Sequence, residues 1–200
     1  MPNDQPARTG RPREPRLTKV LLTTTLASLA ENGYEATTIA GLAATARTSK
    51  QAVYRRWPDK GTLIAAAIRA ALDEVHLPSP QRGSVFQDLH VCLTNTCDAL
   101  QDTPLGGAIR ALFPYRSRPE LEQVLKEVEE DRRLVMRQIL IATPFEQDME
   151  TRIDLLIGLV YFRLLIRNQT ITTNDIDTAI QLVLGLTPPR DPARVPVPFP

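Results

Sequence analysis

One stretch, from residue 37 to residue 60, constrains the fold of this chain more than any other part: TTIAGLAATARTSKQAVYRRWPDK. It opens with apolar side chains at the i, i+3, i+4, i+7 spacing of a short amphipathic helix, which Thr37 or Thr38 can cap. Arg47 then breaks the pattern, and Ser49 offers a cap for a second helix, which we expect over residues 50–57. The sequence therefore predicts two short helices joined by a tight turn.

The second of these helices has an unusual surface. Val53 and Trp57, four residues apart, form a narrow apolar face that we expect in the core. The rest of the helix carries cationic, amide and phenol groups, and no carboxylate occurs between residues 37 and 58. Such groups hydrogen-bond to phosphates and to base edges. The stretch is therefore a candidate nucleic-acid interface.

Charge is distributed unevenly along the chain. Residues 1–60 hold ten Lys and Arg against five Asp and Glu, a net charge of +5, whereas residues 61–200 carry a net charge of −4. This asymmetry favours a polyanionic partner for the N-terminal part. Arg11 and Arg13 precede the first helix in a proline-rich segment. They resemble an arginine arm that lies in a minor groove, and a solvated tail is the alternative.

The rest of the chain is helical by pattern, so we predict an all-α fold of about nine helices. The predicted helices cover residues 16–31, 37–46, 50–57, 59–77, 84–100, 105–112, 117–141, 147–168 and 172–184. Ser117 and Glu120 have the spacing of a capping box for the seventh helix. Its charged middle, EVEEDRR, is predicted to be a solvated face with charge pairs.

Residues 152–166, RIDLLIGLVYFRLLI, are apolar nearly all round the predicted helix. The segment is shorter than the roughly 20 residues that span a bilayer, and charged residues flank it. A helix that is apolar on all sides must bury two faces. We therefore expect one face on the protein's own core and the other on a second copy of the chain.

Composition argues against several functional classes. The 42% of hydrophobic and 24% of charged residues are typical of a soluble globular protein. Cys92 and Cys97 lack a zinc-binding spacing, and we expect neither a metal nor a cofactor. No nucleophile elbow, P-loop or dinucleotide fingerprint occurs, so we expect no enzymatic activity. The N-terminus has no apolar signal segment, and we expect a cytoplasmic protein.

The segment GYEATTIAGLAATARTSKQAVYRRWPDKGTL resembles the DNA-binding signature of the tetracycline-repressor (TetR) family of regulators. The resemblance covers roughly residues 16–66 and rests on Gly33, Tyr34, Thr37, Thr38, Ile39, Leu42, Ala43, Ala46, Ser49, Val53, Tyr54, Arg56, Trp57, Lys60 and Leu63. Two residues depart from the pattern. Arg47 replaces the glycine of the turn, where a permissive backbone is expected. Gln51 replaces another glycine with an amide that could read an adenine.

The resemblance implies which residues contact DNA. Gln51 and Arg55 are expected to contact bases, and Lys50 and Arg56 to contact bases or phosphates. Tyr54 is expected to reach a phosphate through its hydroxyl, and a place in the core is the alternative. Backbone contacts are also implied at positions for which capping or solvation is the alternative: Thr38, Thr48, Ser49 and Lys60.

The resemblance also implies a domain organisation and a mechanism. We expect a disordered basic arm at residues 1–15, a helix-turn-helix domain at 16–62, a helical regulatory and dimerisation domain at 63–186, and a proline-rich tail at 187–200. The implied function is that of a homodimeric repressor, released from a near-palindromic double-stranded DNA operator by a small hydrophobic ligand. The alternatives are a regulator without a small-molecule ligand and an all-α enzyme with an incidental helix-turn-helix.

A ligand would bind between the middle helices of the body. Polar and aromatic residues that could line such a cavity are Cys92, Thr96, Phe113, Tyr115, Met136, Tyr161, Phe162 and Arg163. Ordinary core packing or dimer contact accounts for each of them equally well. The resemblance carries no ligand identity.

Overall fold

The computed structural model describes residues 15–75, 79–81 and 83–186. Within these ranges the chain forms nine α-helices, one 3-10 turn and one π-helical turn, and no strand, so the predicted all-α class is confirmed. The helices are α1 (Pro15–Ala36), α2 (Ile39–Thr45), α3 (Lys50–Tyr54), α4 (Lys60–Asp73), α5 (Val85–Gln101), α6 (Pro104–Leu112), α7 (Pro119–Leu140), α8 (Met149–Tyr161) and α9 (Thr173–Val183). The predicted arm, with Arg11 and Arg13, and the predicted tail at 187–200 lie outside the described residues.

Several helix ends follow local sequence signals. Asp59 caps α4 by accepting a hydrogen bond from the backbone N–H of Thr62 at 2.7 Å. Thr172 and Asp175 form a reciprocal capping box at the start of α9. Gly33 interrupts α1 with a φ of 79°, a left-handed conformation that glycine adopts without steric penalty. Each signal acts within about four residues of the helix end that it sets.

The predicted capping box of α7 is wrong. The helix begins at Pro119 with Arg118 as its N-cap, and Ser117 lies outside it. The ring of a proline disfavours helical geometry in the preceding residue. Arg118 accordingly has extended φ and ψ values of −74° and 128°, whereas a cap at Ser117 would require it to be helical.

The helix α3 is shorter than predicted, because it ends at Tyr54 instead of residue 57. The N–H of Trp57 still donates to the carbonyl of Val53 at 3.0 Å, so the chain follows a helical path for a little longer. Pro58 comes next and disfavours further helix before it. The part of this element that holds regular helical geometry is therefore only five residues long.

The N-terminal helices surround a small core of their own, which we call the head core. It consists of the buried residues Leu21, Ile39, Leu42, Ala43, Ala46, Val53, Trp57 and Leu63. The helix α4 leaves this core and enters the larger one, since Leu63 belongs to the head core and Ile64 to its neighbour. The predicted boundary between residues 62 and 63 thus falls inside one continuous helix.

The larger core, which we call the body core, joins parts of α1 and α4 to the helices α5–α9. The helix α1 packs closely on α6, and Gly107 of α6 faces Ala30 of α1 so tightly that an added Cβ would lie 3.0 Å from the Ala30 Cβ. The helix α7 packs on α4 and on α8. The head is therefore attached to the body along two helices, α1 and α4.

The predicted apolar helix of the body is α8, which the π-helical turn Phe162–Ile166 continues. Its inner side is buried at Ile153, Leu156 and Ile157. On its outer side Leu155 and Ile166 are 60% and 68% exposed. One face thus packs on the protein's own core, as predicted, and a second apolar face remains at the surface of the single chain.

Candidate nucleic-acid interface

The turn between α2 and α3 is a Schellman motif. The N–H of Thr48 donates to the carbonyl of Ala43 at 2.8 Å, and the N–H of Arg47 donates to that of Ala44 at 3.1 Å. Arg47 has a φ of 51°, the left-handed conformation that glycine usually occupies in this motif. The sequence-based expectation that this position requires a permissive backbone is therefore confirmed, and Arg47 meets the requirement at some conformational cost.

Two hydroxyl caps set the starts of α2 and α3. The side-chain oxygen of Thr38 accepts from the N–H of Gly41 at 3.1 Å, and that of Ser49 accepts from the N–H of Ala52 at 3.1 Å. Both side chains belong to exposed residues. A hydroxyl that accepts at a cap retains its hydrogen as a donor. Each cap can therefore also donate to a phosphate at the end of its helix.

The outer face of α3 presents polar side chains to solvent. Lys50, Gln51, Tyr54 and Arg55 are all exposed, and Tyr54 reaches 51%. Gln51 and Arg55 lie four residues apart and therefore share one side of the element. Thr48 is half-buried beside them. The opposite side is anchored by Val53 in the head core, which turns the polar groups outward.

Arg56 is less available than its neighbours. It is half-buried, and its Nη1 donates to the carbonyl of Ala52 at 2.8 Å. Its Nε is buried and has no hydrogen-bond partner among the protein atoms. The guanidinium thus folds back over its own helix. Any contact with DNA would have to use the remaining guanidinium nitrogen or follow a change of rotamer.

Lys60 has an internal partner. Its ammonium donates to the carbonyl of Tyr34 at 2.8 Å and lies 3.9 Å from the centre of the Tyr34 ring. Burial lowers the pKa of Lys60 from its ordinary value. A phosphate at the start of α4 would therefore share this cation with the backbone of the head.

Tyr34 also connects the head to the body. Its buried ring stacks on Tyr115 with centroids 4.2 Å apart, and its hydroxyl accepts from Arg118 at 3.0 Å. Burial raises the pKa of Tyr34, and a hydrogen bond with Glu35 raises that of Tyr115. We call this cluster of Tyr34, Lys60, Tyr115 and Arg118 the joint. It was not predicted, because its members come from three separate parts of the chain.

The residues predicted to line a ligand cavity do not form one group. Cys92, Thr96 and Met136 are buried in the body, and Tyr161 is half-buried nearby. Others lie elsewhere, since Tyr115 belongs to the joint, Phe113 and Phe162 are exposed, and Arg163 pairs with Asp175 at 2.7 Å. The structure thus brings together part of the predicted set and disperses the rest.

Two concave surfaces stand out on the described part of the chain, and neither contains a predicted ligand residue. The larger is an open groove between α1, α4 and α5, with Leu22, Leu26 and Ala67 on its floor. The smaller lies beside α5 where His90 bonds Asp177 at 2.7 Å. The spacing of apolar residues along the chain does not reveal such grooves, because each groove is lined by segments that are distant in sequence.

The charged middle of α7 differs from its prediction at one charged residue. Arg133 forms the predicted type of charge pair with Glu129 at 3.2 Å. Arg132, however, is 2% exposed. It falls on the same helical face as the buried Val128 and Met136, four residues away on either side. The prediction of a fully solvated face is therefore wrong at Arg132. Helical phase places this residue on the side of Val128 and Met136, and the packing of the other helices buries that side.

Neither a membrane span nor a metal cluster occurs among the residues described. None of these helices is long and apolar enough to cross a bilayer. No three His, Cys, Asp or Glu side chains of the described ranges are grouped as a metal site.

The chain matches two family models. Residues 21–67 match the model described as bacterial regulatory proteins, tetR family. Residues 79–183, more than half of the chain, match the model of the tetracyclin repressor-like C-terminal domain. The first match contains α2, α3 and the turn between them, and the second begins after α4. The two models therefore cover the head and most of the body respectively.

The chain is also similar to a regulator known from sequence and to solved structures. It is 32% identical over 181 residues to the uncharacterized HTH-type transcriptional regulator Rv1556 of Mycobacterium tuberculosis, which covers 86% of this chain and 88% of that protein. A tetR-family transcriptional regulator from Streptomyces coelicolor has a TM-score of 0.71 at 17% identity, over 86% of this chain and 81% of that one. The multidrug binding protein EbrR, complexed with imidazole, has a TM-score of 0.61 at 14% identity, over 92% and 98%.

Proposed function

The chain belongs to the tetracycline-repressor family of DNA-binding transcriptional regulators, and we propose that it acts as a homodimeric repressor that a small hydrophobic ligand releases from its operator. Members of this family regulate transcription and are not enzymes. The observation that carries the proposal is the exposed, carboxylate-free face of α3 next to two helix caps.

The proposed DNA contacts are of two kinds, to phosphates and to base edges. The caps Thr38 and Ser49 and the adjoining Thr48 suit phosphates, because hydroxyl and backbone donors at helix starts favour anions. Gln51 and Arg55 suit base edges, since an amide pairs with adenine and a guanidinium with guanine. Lys50 and Tyr54 flank them and support phosphate contact. Arg56 and Lys60 contribute in a lesser degree, because both have partners inside the head.

The outer face of α8 and α9 is the proposed dimer interface. Leu155, Phe162, Ile166, Leu182 and Leu186 are between 48% and 68% exposed. An apolar surface of this kind marks an interaction site in a soluble protein. A second copy of the same surface is its natural partner, because a two-fold interface is self-complementary. Dimerisation would also place two α3 elements on one duplex and allow a near-palindrome to be read.

The ligand part of the proposal rests on the C-terminal domain. This domain matches that of the tetracyclin repressor-like proteins, and EbrR, which shares the fold, is described as a multidrug binding protein. A ligand releases DNA only if it binds the released form better than the bound form. We propose that the ligand does so by changing the packing of α4, which belongs to both cores.

Dimerisation is tested with paired surface substitutions. Ile166→Glu places a charge in the proposed interface, and Leu134→Glu places one at a similarly exposed position on α7 as a control. We expect the wild type and Leu134→Glu to elute as dimers at micromolar concentration and Ile166→Glu as a monomer. Loss of the second head should weaken operator binding by about 10²–10⁴-fold. A wild-type mass of 22.3 kDa would rule out the dimer.

Repression and ligand release are tested by gel shift with the DNA that flanks the gene of this protein. We expect a specific complex whose affinity falls steeply with salt. Hydrophobic compounds or cell extract are then added to the complex. Release of the DNA supports the ligand-responsive repressor, whereas a complex that no compound affects supports the alternative regulator without a small-molecule ligand. Absence of any specific complex at low salt contradicts both.

A further inference from the structure

Arg132 lies inside the body core. Among the described residues it is the one charged residue that is buried, at 2% exposure. Its Nη1 donates to the hydroxyl of Tyr161 at 3.5 Å, a long hydrogen bond. Its Nη2 is buried and has no hydrogen-bond partner among the protein atoms. Across the described ranges, no carboxylate forms an ion pair with this arginine.

Two acidic residues shortly before Arg132 on α7, Glu129 and Glu130, are engaged by other arginines. Glu129 accepts from Arg133 at 3.2 Å, and Arg133 also bonds Glu150 of α8 at 3.0 Å. Glu130 pairs with Arg137. The outer side of the helix therefore carries several charge pairs. The inward-facing arginine is the exception on this helix.

Core packing does not explain an arginine at this position. A methionine or leucine would occupy a similar volume without a charge, and a guanidinium does not escape the cost of burial by losing its proton. A buried charge without a counter-ion is strongly unfavourable, because it loses its hydration and gains no partner. An unsatisfied buried group of this kind calls for an explanation.

The surroundings of Arg132 do not supply a negative charge. Burial raises the pKa of Cys92 to about 11 and that of Cys97 to about 12, and the nearby Arg132 offsets this only in part. Both thiols are thus neutral at neutral pH. Cys92, Tyr161 and Met136, which follows Arg132 by one helical turn, were all predicted to line a ligand cavity. A cation is therefore placed among neutral and apolar side chains.

We propose that Arg132 anchors the carboxylate of an otherwise apolar small molecule inside the C-terminal domain. The inference rests on the proposed function, because it gives the chemical class of the ligand that releases the DNA. A guanidinium can bind a carboxylate through two parallel N–H donors, and the unpartnered Nη2 supplies a donor for this purpose. The apolar remainder of the ligand packs against side chains such as Met136.

The position of Arg132 on α7 links this site to the head. The helix α7 packs on α4, whose first turn lies at the joint. Glu120 of α7 lies so close to Gly61 of α4 that a Cβ added there would overlap the Glu120 side chain. A carboxylate that reorders the packing around Arg132 can therefore shift α7 against α4 and change the placement of α3.

The first test needs no ligand. Arg132→Met replaces the charge with an apolar chain of similar length, and Arg110→Met does the same at an exposed position of α6. We expect Arg132→Met to raise the Tm of the full-length protein by about 2 °C or more, because it removes an uncompensated buried charge. Arg110→Met should leave the Tm within about 1 °C of the wild type. An unchanged or lower Tm for Arg132→Met overturns the proposal, since the arginine would then have a structural role.

The second test compares charged probes with their neutral analogues. Decanoate and 1-naphthoate are titrated calorimetrically into the full-length protein, alongside decanamide and 1-naphthamide. We expect at least one carboxylate to bind the wild type about tenfold or more tightly than its amide, because only the carboxylate pairs with Arg132. Arg132→Met should abolish this preference, Arg132→Lys should retain part of it, and Arg110→Met should retain all of it. Equal binding of each acid and its amide by the wild type overturns the proposal, as does an undiminished preference in Arg132→Met.

A gel shift with the same probes separates this inference from the proposed function. If a carboxylate binds through Arg132 but leaves the DNA complex intact, the anchor stands and ligand-induced release by that probe fails. If a neutral or cationic compound releases the DNA equally from the wild type and from Arg132→Met, the repressor stands and the carboxylate anchor is overturned.

Discussion

The head and the body of this regulator use polar side chains in opposite ways. The head core contains eight buried hydrophobic residues in the described structure, and the outer face of α3 beside it presents polar side chains to solvent. The body core contains thirty-one buried hydrophobic residues, and the charged side chain of Arg132 is also buried in the body. The head therefore presents its polar groups at the surface, where a large partner such as DNA can reach them. The body instead places the proposed anchor Arg132 in its interior, where only a small molecule could be bound.

The two regions also differ in what stabilises them. A small core contributes little stability, so the head depends on its attachment through α1, α4 and the joint. The body has its own extensive core and a network of charge pairs on α7. Trp57, the single tryptophan of the sequence, lies in the head core and can report on the head alone. Comparison of its fluorescence with far-UV circular dichroism therefore distinguishes the two regions.

The largest expected effect comes from Leu21→Ala, which removes a fully buried side chain from the head core. Truncation of a buried leucine typically costs about 2–5 kcal/mol. We expect the Trp57 fluorescence transition in urea to move to lower denaturant than the circular dichroism transition, because the head loosens before the body. DNA binding should be lost in parallel.

Its matched control is Val20→Ala, one residue earlier at a 40% exposed position. This substitution should change the free energy of unfolding by less than about 1 kcal/mol, since it opens no cavity in the core. If both transitions shift together for Leu21→Ala, the head does not unfold independently, and the comparison between the two regions fails.

A smaller effect is expected when the proposed base contacts are removed. Gln51→Ala and Arg55→Ala should each weaken binding to the specific operator by about 1–3 kcal/mol and leave binding to random DNA almost unchanged. Fluorescence anisotropy with both DNA types measures the two affinities. Equal losses on specific and random DNA would remove the base-reading role from these side chains.

Lys60→Ala provides the contrasting case within the head. We expect it to weaken specific and random DNA alike, because a phosphate contact carries no sequence information. It should also lower the midpoint of the Trp57 transition, since the Lys60 ammonium holds the carbonyl and ring of Tyr34. A loss of DNA affinity with unchanged stability would show that the phosphate contact matters more than the joint.

Arg47→Gly should have opposite effects on stability and on binding. Glycine removes the strain of the left-handed conformation, which costs a non-glycine residue about 1–2 kcal/mol, and the head should become more stable by about 1 kcal/mol. Loss of the cation should at the same time weaken DNA binding modestly. Arg47→Ala is the control, because it removes the charge and keeps the strain. An Arg47→Gly head that is no more stable than Arg47→Ala would contradict this account.

The smallest effect is a pH dependence in the body at Asp175. Hydrogen bonds from Thr172 and the ion pair with Arg163 lower the pKa of this carboxyl to about 2, from an ordinary value of 3.8. The carboxylate therefore contributes stability above about pH 4, and the contribution is lost as the pH falls from 4 towards 2.

Asp175→Asn should lower the free energy of unfolding by about 1 kcal/mol at neutral pH, as loss of a helix cap does. The difference from the wild type should shrink as the pH falls below 4. Asp177→Asn, on the same helix, tests whether any nearby acid has this effect. A difference that stays constant down to pH 2 would contradict the assigned pKa.

Much of the head could be predicted because its structure depends on contacts that are close in sequence. A hydroxyl at Thr38 or Ser49 caps the helix that begins at the next residue, and the left-handed turn at Arg47 is set by bonds to residues three to five positions earlier. The cavity-lining residues of the body could not be predicted in the same way. Which residues line a cavity depends on how α5, α7 and α8 come together, and the predicted ligand residues therefore separated into several places.

The sequence by itself determined the all-helical class, the helix-turn-helix, the caps of its helices and the second apolar face of α8, because each follows from the periodicity and chemistry of neighbouring residues. Tertiary structure alone decided that Lys60 and Tyr34 meet Arg118 at the joint, and that Arg132 points into the core while Arg133 points out of it. Adjacent residues on a helix differ by about 100° in direction. Their burial is therefore settled by the positions of the other helices and not by the charge that the two arginines share.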